Sequence, residues 1–257
     1  MSEPEGSERR DVGDSVTRPI GDPSAPAMPP VPIDLSYRSR GSFLAAYATT
    51  LGKGGVFLET TAPLDVGTPV TLRLKAPEVP EVDVDGVITW TRPTATGVGQ
   101  PAGMGVAIAG PAEALGHAVD EVAFGFGRMK VLLVAGEAAP RAILSRYLRS
   151  ILRCEIVDSD TGGGGAALVP DLAVIDLDSS GQQGLDLYSR LRGRPETQSL
   201  PVLALAHIER DRTHALRSGF DEAQPNPPVF ADLQGAVLRC LARPVSCPLR
   251  VRFEENR

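Results

Sequence analysis

Asp176 closes the apolar run Pro170 to Asp176 (PDLAVID) with a carboxylate at the carboxyl end of a predicted strand. In an open parallel sheet that edge is where ligands and chemistry gather. A carboxylate there can accept a phosphoryl group when a hard cation is held beside it by further carboxylates, with a hydroxyl near and a lysine to hold the phosphate. The sequence supplies one carboxylate and little else. A second set of residues could handle an anion. Arg38 and Arg40 stand two apart, which in an extended segment puts both guanidinium groups on one face. Downstream, Thr50, Gly52, Lys53 and Gly55 surround a GKGG turn in which Lys53 offers a further phosphate contact.

Other chemistry has less support. His117, His207 and His214 are scattered, so neither a metal site nor a Ser-His-Asp arrangement is indicated. His207 reads as a structural or interface histidine. Gly162 to Gly165 lack the lysine and hydroxyl of a phosphate loop and read as a flexible replacement for a helix. Trp90 reads as a core or rim residue, and Asp178 as a solvated loop carboxylate.

The elements that must position these groups fall into two sets. Residues 1 to 34 are rich in Pro, Ser, Gly, Glu and Asp, and read as a disordered tail unable to offset its ordering entropy. From Ser42 to Ala109 the chain reads as five short strands: SFLAAYATTL, GGVFLETT, TPVTLRLKAP, EVDVDGVITWTR and GMGVAIA. Val70, Leu72 and Leu74 alternate with Thr71, Arg73 and Lys75, and Val82, Val84 and, after a break at Gly86, Ile88 and Trp90 repeat the pattern. Such spacing predicts a small all-β antiparallel barrel or sandwich over residues 35–127. Leu115, Val119, Val122 and Phe126 then mark a helix.

Residues 128–244 change pattern. Apolar strands (MKVLLVAG, CEIVDSD, PDLAVID, LPVLALAH and the weaker DEAQPNP) alternate with helical segments, among them AAPRAILSRYLRSIL with Ile143, Leu144, Tyr147, Leu148 and Ile151 on one face. That order predicts an α/β parallel sheet of flavodoxin-like type covered on both faces. Four consecutive glycines shorten or remove its second helix. Residues 245–257 form a C-terminal tail.

Composition narrows the classes. The formal net charge of -6 gives no electrostatic footprint for nucleic acid or an anionic membrane. Three cysteines without a CxxC pair indicate free thiols in a reducing compartment. With no cationic leader and no apolar run of membrane-spanning length, a cytoplasmic location is expected.

The motifs VLLVAGE, PDLAVIDLD with Gly184 downstream, LPVLALA and SGFDEAQPNPP resemble, in that order, a bacterial response-regulator receiver domain. The resemblance places Asp176 on the phosphoacceptor, Ala135 and Gly136 on the acidic pair that holds magnesium, Ala206 on the switch hydroxyl and Asn226 on the phosphate-binding lysine. Four of these five positions have lost their chemistry, so magnesium binding is not expected.

The earlier segment, TTLGKGGVFLETTAPLDVGTPVTLRL followed by DGVITW and GMGVAI, resembles a PilZ domain of the kind found as paralogous copies in gliding soil bacteria. That family binds cyclic di-GMP through an RxxxR segment and a [D/N]xSxxG motif. Here Thr50 stands at the Asp/Asn position, Gly52 replaces the serine and Gly55 is retained. The two resemblances together imply a non-enzymatic signalling protein, a PilZ-like domain joined to a pseudo-receiver, working by protein binding through the last helix-and-strand face. A cyclic di-GMP effector with a rearranged site at Arg38, Arg40, Thr50, Gly52, Lys53 and Gly55 is the alternative, and phosphorylation at Asp176 a second one. No other cofactor is implied.

Overall fold

The computed structural model describes residues 29–97, 100–109, 113–158 and 169–245. Strands β1 (Val31–Ser36), β2 (Gly55–Glu59), β3 (Pro69–Ala76), β4 (Val79–Arg92) and β5 (Gly103–Ile108) build one sheet in the order β1-β3-β4-β5-β2. The expected alternation holds as far as Ile88: Val70, Leu72, Leu74, Val82, Val84 and Ile88 are all buried, while Arg73 and Asp83 pair on the outer face at 2.9 Å; Trp90, past a register shift, is exposed.

Three expectations for this half are corrected. The sheet is mixed, because β1 runs parallel to β3 while the remaining pairs are antiparallel, and β1 and β2 stand at its two ends. Val31 to Asp34, read as part of the tail, belong to β1, whose Ile33 and Leu35 are wholly buried. SFLAAYATTL is mostly helix α1 (Arg40–Thr49), so this half is not all-β. Ser39 caps α1 by accepting the Ser42 N–H at 3.2 Å, and the alanines within favour helix. Phe43 and Ala46 enter the core beneath the sheet, whereas Ala45 enters the core of the second half. A helix apolar on two sides has no clean helical stripe, and its aromatic and Thr residues mimic a strand. Helix α2 (Glu113–Phe124) follows where the periodicity places it and buries Leu115 and Val122, but Phe126 lies beyond its end and packs against the second core.

The second sheet comprises β6 (Met129–Val134), β7 (Cys154–Asp158), β8 (Leu172–Asp176), β9 (Val202–Leu205) and β10 (Glu222–Gln224), all parallel, in the order β10-β9-β8-β6-β7. That is the flavodoxin-like order of a doubly wound sheet. Helices α3 (Ala138–Ile151), α4 (Leu177–Arg192), α5 (Glu209–Arg217) and α6 (Phe230–Ala242) surround it. On α3, Leu144 and Leu148 are buried while Ile143 is exposed, which narrows the expected apolar face. Helix α4 begins at once after Asp176 and is interrupted at Gly181, where φ is 50°. The Gly162 to Gly165 segment, most of the N-terminal tail and residues 246–257 lie outside the described residues.

Helix α6 carries Leu233, Ala236, Val237, Cys240 and Leu241 into the second core and Ala242 into the first, and packs against α1. The last helix-and-strand face, expected to receive a protein partner, is therefore covered on that flank by α1. Polar bonds flank the contact. The Val245 N–H donates to the Ser36 carbonyl at 2.8 Å. Arg243 donates to Glu59 and, at 3.3 Å, to Asp221. Among the described residues no helix is long and apolar enough to cross a membrane.

Candidate functional site

Asp176 sits at the carboxyl end of β8 with only 1% of its surface exposed. Because α4 starts on the next residue, its carboxylate caps that helix. Oδ1 accepts the Asp178 and Ser179 N–H groups at 3.1 and 3.3 Å, and Oδ2 accepts the Ser179 hydroxyl at 2.7 Å. The Asn226 side-chain amide, reaching in from the end of β10, donates to Oδ1 at 2.9 Å. A buried carboxylate supplied with several donors has its lone pairs engaged without a cation.

Asp178 is exposed, as expected of a solvated carboxylate, but it also serves as an anchor. It accepts the His207 N–H at 2.9 Å and the Asn226 amide at 2.9 Å, while His207 Nδ1 lies 3.2 Å from the Asn226 carbonyl. His207 thus has a structural place at the edge, linking the loop after β9 to the loop after β10.

The positions that the resemblance assigns to the acidic pair and to the switch hydroxyl are occupied by packing. Ala135 and Ala206 are buried. Gly136 lies so close to the Ser179 carbonyl that a Cβ there would overlap it, and its N–H donates to the Ser179 hydroxyl at 2.9 Å. An acidic side chain at Gly136 would have to displace the first turn of α4. Among the described residues no group of three His, Cys, Asp or Glu side chains could hold a metal ion.

The residues expected around a nucleotide are dispersed. Arg38 lies in the turn after β1 and points to the second half, donating to the Ser199 hydroxyl at 2.9 Å, the Glu196 carbonyl at 3.0 Å and the Pro170 carbonyl at 3.4 Å. Arg40 opens α1 and lies 3.4 Å from Glu78. The segment carrying both is a turn into a helix, not the extended stretch assumed, so they do not share a face. Thr50 closes α1, its hydroxyl donating to the Ala46 carbonyl at 2.8 Å. Gly52 and Lys53 are exposed in a single 3-10 turn, and Gly55 begins β2. Thr50, Lys53 and Gly55 do share one concavity of about 380 Å³, whose other walls include Val56, Phe57, Trp90 and Val106. Lys53 is the one cation among its described lining residues.

The sequence reading missed an aromatic shelf beside that concavity. Phe57 on β2 and Trp90 on β4 both pair across β5 with Gly105, and their rings stack over it, centroids 5.3 Å apart and 8° from parallel. A side chain at Gly105 would collide with the indole, so glycine there makes room for the pair. Trp90 remains 43% exposed, and Arg92 lies over both rings at about 5.5 Å. The shelf forms one wall of a groove of about 490 Å³, opposite Arg239 and Arg243 of the second half. The G-M-G triplet beside a tryptophan strand was the available signal.

No family model matches the chain. It is 33% identical over 123 residues to the phosphate regulon transcriptional regulatory protein PhoB of Rhizobium meliloti, the match covering 44% of this chain. The chain spans about half the length of that curated relative, 52%. Among solved structures, it is similar to a response regulator from Chloroflexus aurantiacus, at 21% identity and a TM-score of 0.41, over 46% of this chain and 100% of the other. It is also similar to the receiver domain of the sensor histidine kinase PA1611 of Pseudomonas aeruginosa, at 18% identity and a TM-score of 0.39, over 45% and 98%.

Proposed function

We propose that this chain is a non-enzymatic signalling protein whose parallel-sheet half is a receiver-like module held in one arrangement and acting by protein binding. The observation that carries the reading is the Asp176 cage: a carboxylate at a receiver's phosphoacceptor position whose oxygens are taken by Ser179, Asn226 and two N–H groups. The similarity to PhoB supports a place in signalling. A partner has to engage surfaces other than the flank of α6 covered by α1. Ile143, Val229 and Phe230, exposed on α3 and at the start of α6, offer apolar area for that. Incubation with acetyl phosphate and magnesium, followed by intact mass measurement, tests the reading. No phosphoryl adduct is expected; stoichiometric modification lost in Asp176→Asn would overturn it.

Phosphorylation at Asp176 is the second reading. In its favour are the position at the strand end and a second carboxylate, Asp178, tied to the same Asn226 amide. The same mass measurement decides it. A cyclic di-GMP role for the first half, resembling PilZ domains, draws on Thr50, Lys53 and Gly55 sharing one concavity next to Trp90. Micromolar calorimetric binding, abolished by Lys53→Ala, the one cation of that concavity, would support it. PhoB is named as a transcriptional regulatory protein, which makes DNA contact a further proposal, one that the net charge of -6 disfavours.

A further inference from the structure

Arg38, Arg192 and Arg243 converge on a cavity of about 250 Å³ between the two halves, also lined by Gln198 and Ser199. Two carboxylates share it, Glu59 and Asp221, and both are already engaged. Glu59 receives Nε and Nη2 of Arg243. Asp221 receives Arg192 at 2.8 Å and Arg243 at 3.3 Å. The lining therefore retains one unbalanced positive charge. Its carrier is Arg38, which bonds only neutral oxygens: the Ser199 hydroxyl and the carbonyls of Glu196 and Pro170.

The donor inventory is equally uneven. A guanidinium has five N–H groups. Arg192 uses all of its own on Tyr188, Gln198, Leu200, Gly219 and Asp221. Arg38 and Arg243 each use three, so each keeps two. Burial pushes the Arg38 guanidinium below its ordinary value; Asp171 opposes this through space, and Arg192 adds to it.

We propose that this interdomain cavity is a binding site for a small oxyanion of the inorganic phosphate class, held between the unspent N–H groups of Arg38 and Arg243 with the Ser199 hydroxyl as a further donor. Guanidinium forks suit such oxygens, and charge-assisted bonds in a partly desolvated site are the strong ones. The volume sets the class. It admits an oxyanion with a few waters at about 30 Å³ each. It lies below the range of roughly 300–1,000 Å³ typical of organic ligands. An anion there would bridge the two halves and stabilise their contact.

Thermal unfolding of the full chain in inorganic phosphate, against sodium chloride of equal ionic strength, tests this, with calorimetric titration of phosphate alongside. A saturable rise in Tm that chloride does not reproduce is expected. Arg38→Met, which keeps the aliphatic bulk, should weaken phosphate binding about tenfold or more. Since that variant also loosens the contact between the halves, Ser199→Asp supplies an independent arm. It keeps Arg38 in place, gives it a carboxylate and should abolish the phosphate response without lowering basal Tm. An equal response to chloride, or a phosphate response undiminished in both variants, overturns the proposal.

Discussion

Asn226 joins the two acidic side chains at the sheet's carboxyl edge, its amide donating at 2.9 Å to Asp176 and at 2.9 Å to Asp178. A neutral amide thus does, by hydrogen bonds alone, the bridging that a cation would otherwise perform between neighbouring carboxylates. Asn226→Ala should leave Asp176 buried with a lone pair unsatisfied and cost about 1–3 kcal/mol. Urea denaturation measures it; an unchanged midpoint would mean the cage is not structural.

Gly136→Asp would restore an acidic group next to Asp176 in composition but not in space. The Ser179 carbonyl occupies the volume the new Cβ needs. We expect a lower Tm and no stabilisation by magnesium. A magnesium-dependent rise in Tm in this variant would show that the first turn of α4 can yield to make a metal site.

Trp90 is the sole tryptophan, which makes the aromatic shelf directly observable. Gly105→Ala should push the indole off Phe57, shift its emission to the red and cost about 1–3 kcal/mol through overpacking. Emission identical to that of the parent would place the ring elsewhere.

Arg243→Ala removes the side chain shared by Glu59 and Asp221. Exposed ion pairs contribute little, about 1 kcal/mol or less. The two cores interlock through α1 and α6, so unfolding of the parent and of this variant should each remain a single calorimetric transition. Two separable transitions in the parent would contradict the interlock.

Burial, reinforced by Asp221 and Glu222, pushes the Cys240 thiol well above its ordinary value near 9. The folded state keeps the thiol neutral while the unfolded chain ionises, so the stability it supplies is complete below that value and is lost as pH rises. From about pH 8 to about pH 10 the parent should lose more stability than Cys240→Ala does. Equal losses would refute the assignment.

The parallel-sheet half was legible because its signal is local. Runs such as LAVID and VLALA are buried on both faces and read as continuous apolar strands, and α3 shows an apolar stripe with Leu144 and Leu148 buried. Helix α1 was misread because Ala45 and Ala46 serve different cores, which erases the stripe that periodicity needs. Lost chemistry at Gly136, Ala206 and Asn226 could be read from residue identity. That Asn226 had taken over as a donor could not, since it lies fifty positions from Asp176 in sequence and meets it only through the sheet. Arg38 illustrates the same limit. Its residue type announced an anion, while its bonding partners on residues 170 and 196–199 depend on how the halves meet.

Ala242 seated in one core and Ala45 in the other has a practical corollary for anyone cutting the chain near Gly127. Each excised fragment would carry a raw greasy scar where its neighbour's helix had lain. Transplanting either piece as a portable cassette should yield sticky, insoluble material unless that scar is resurfaced with polar side chains.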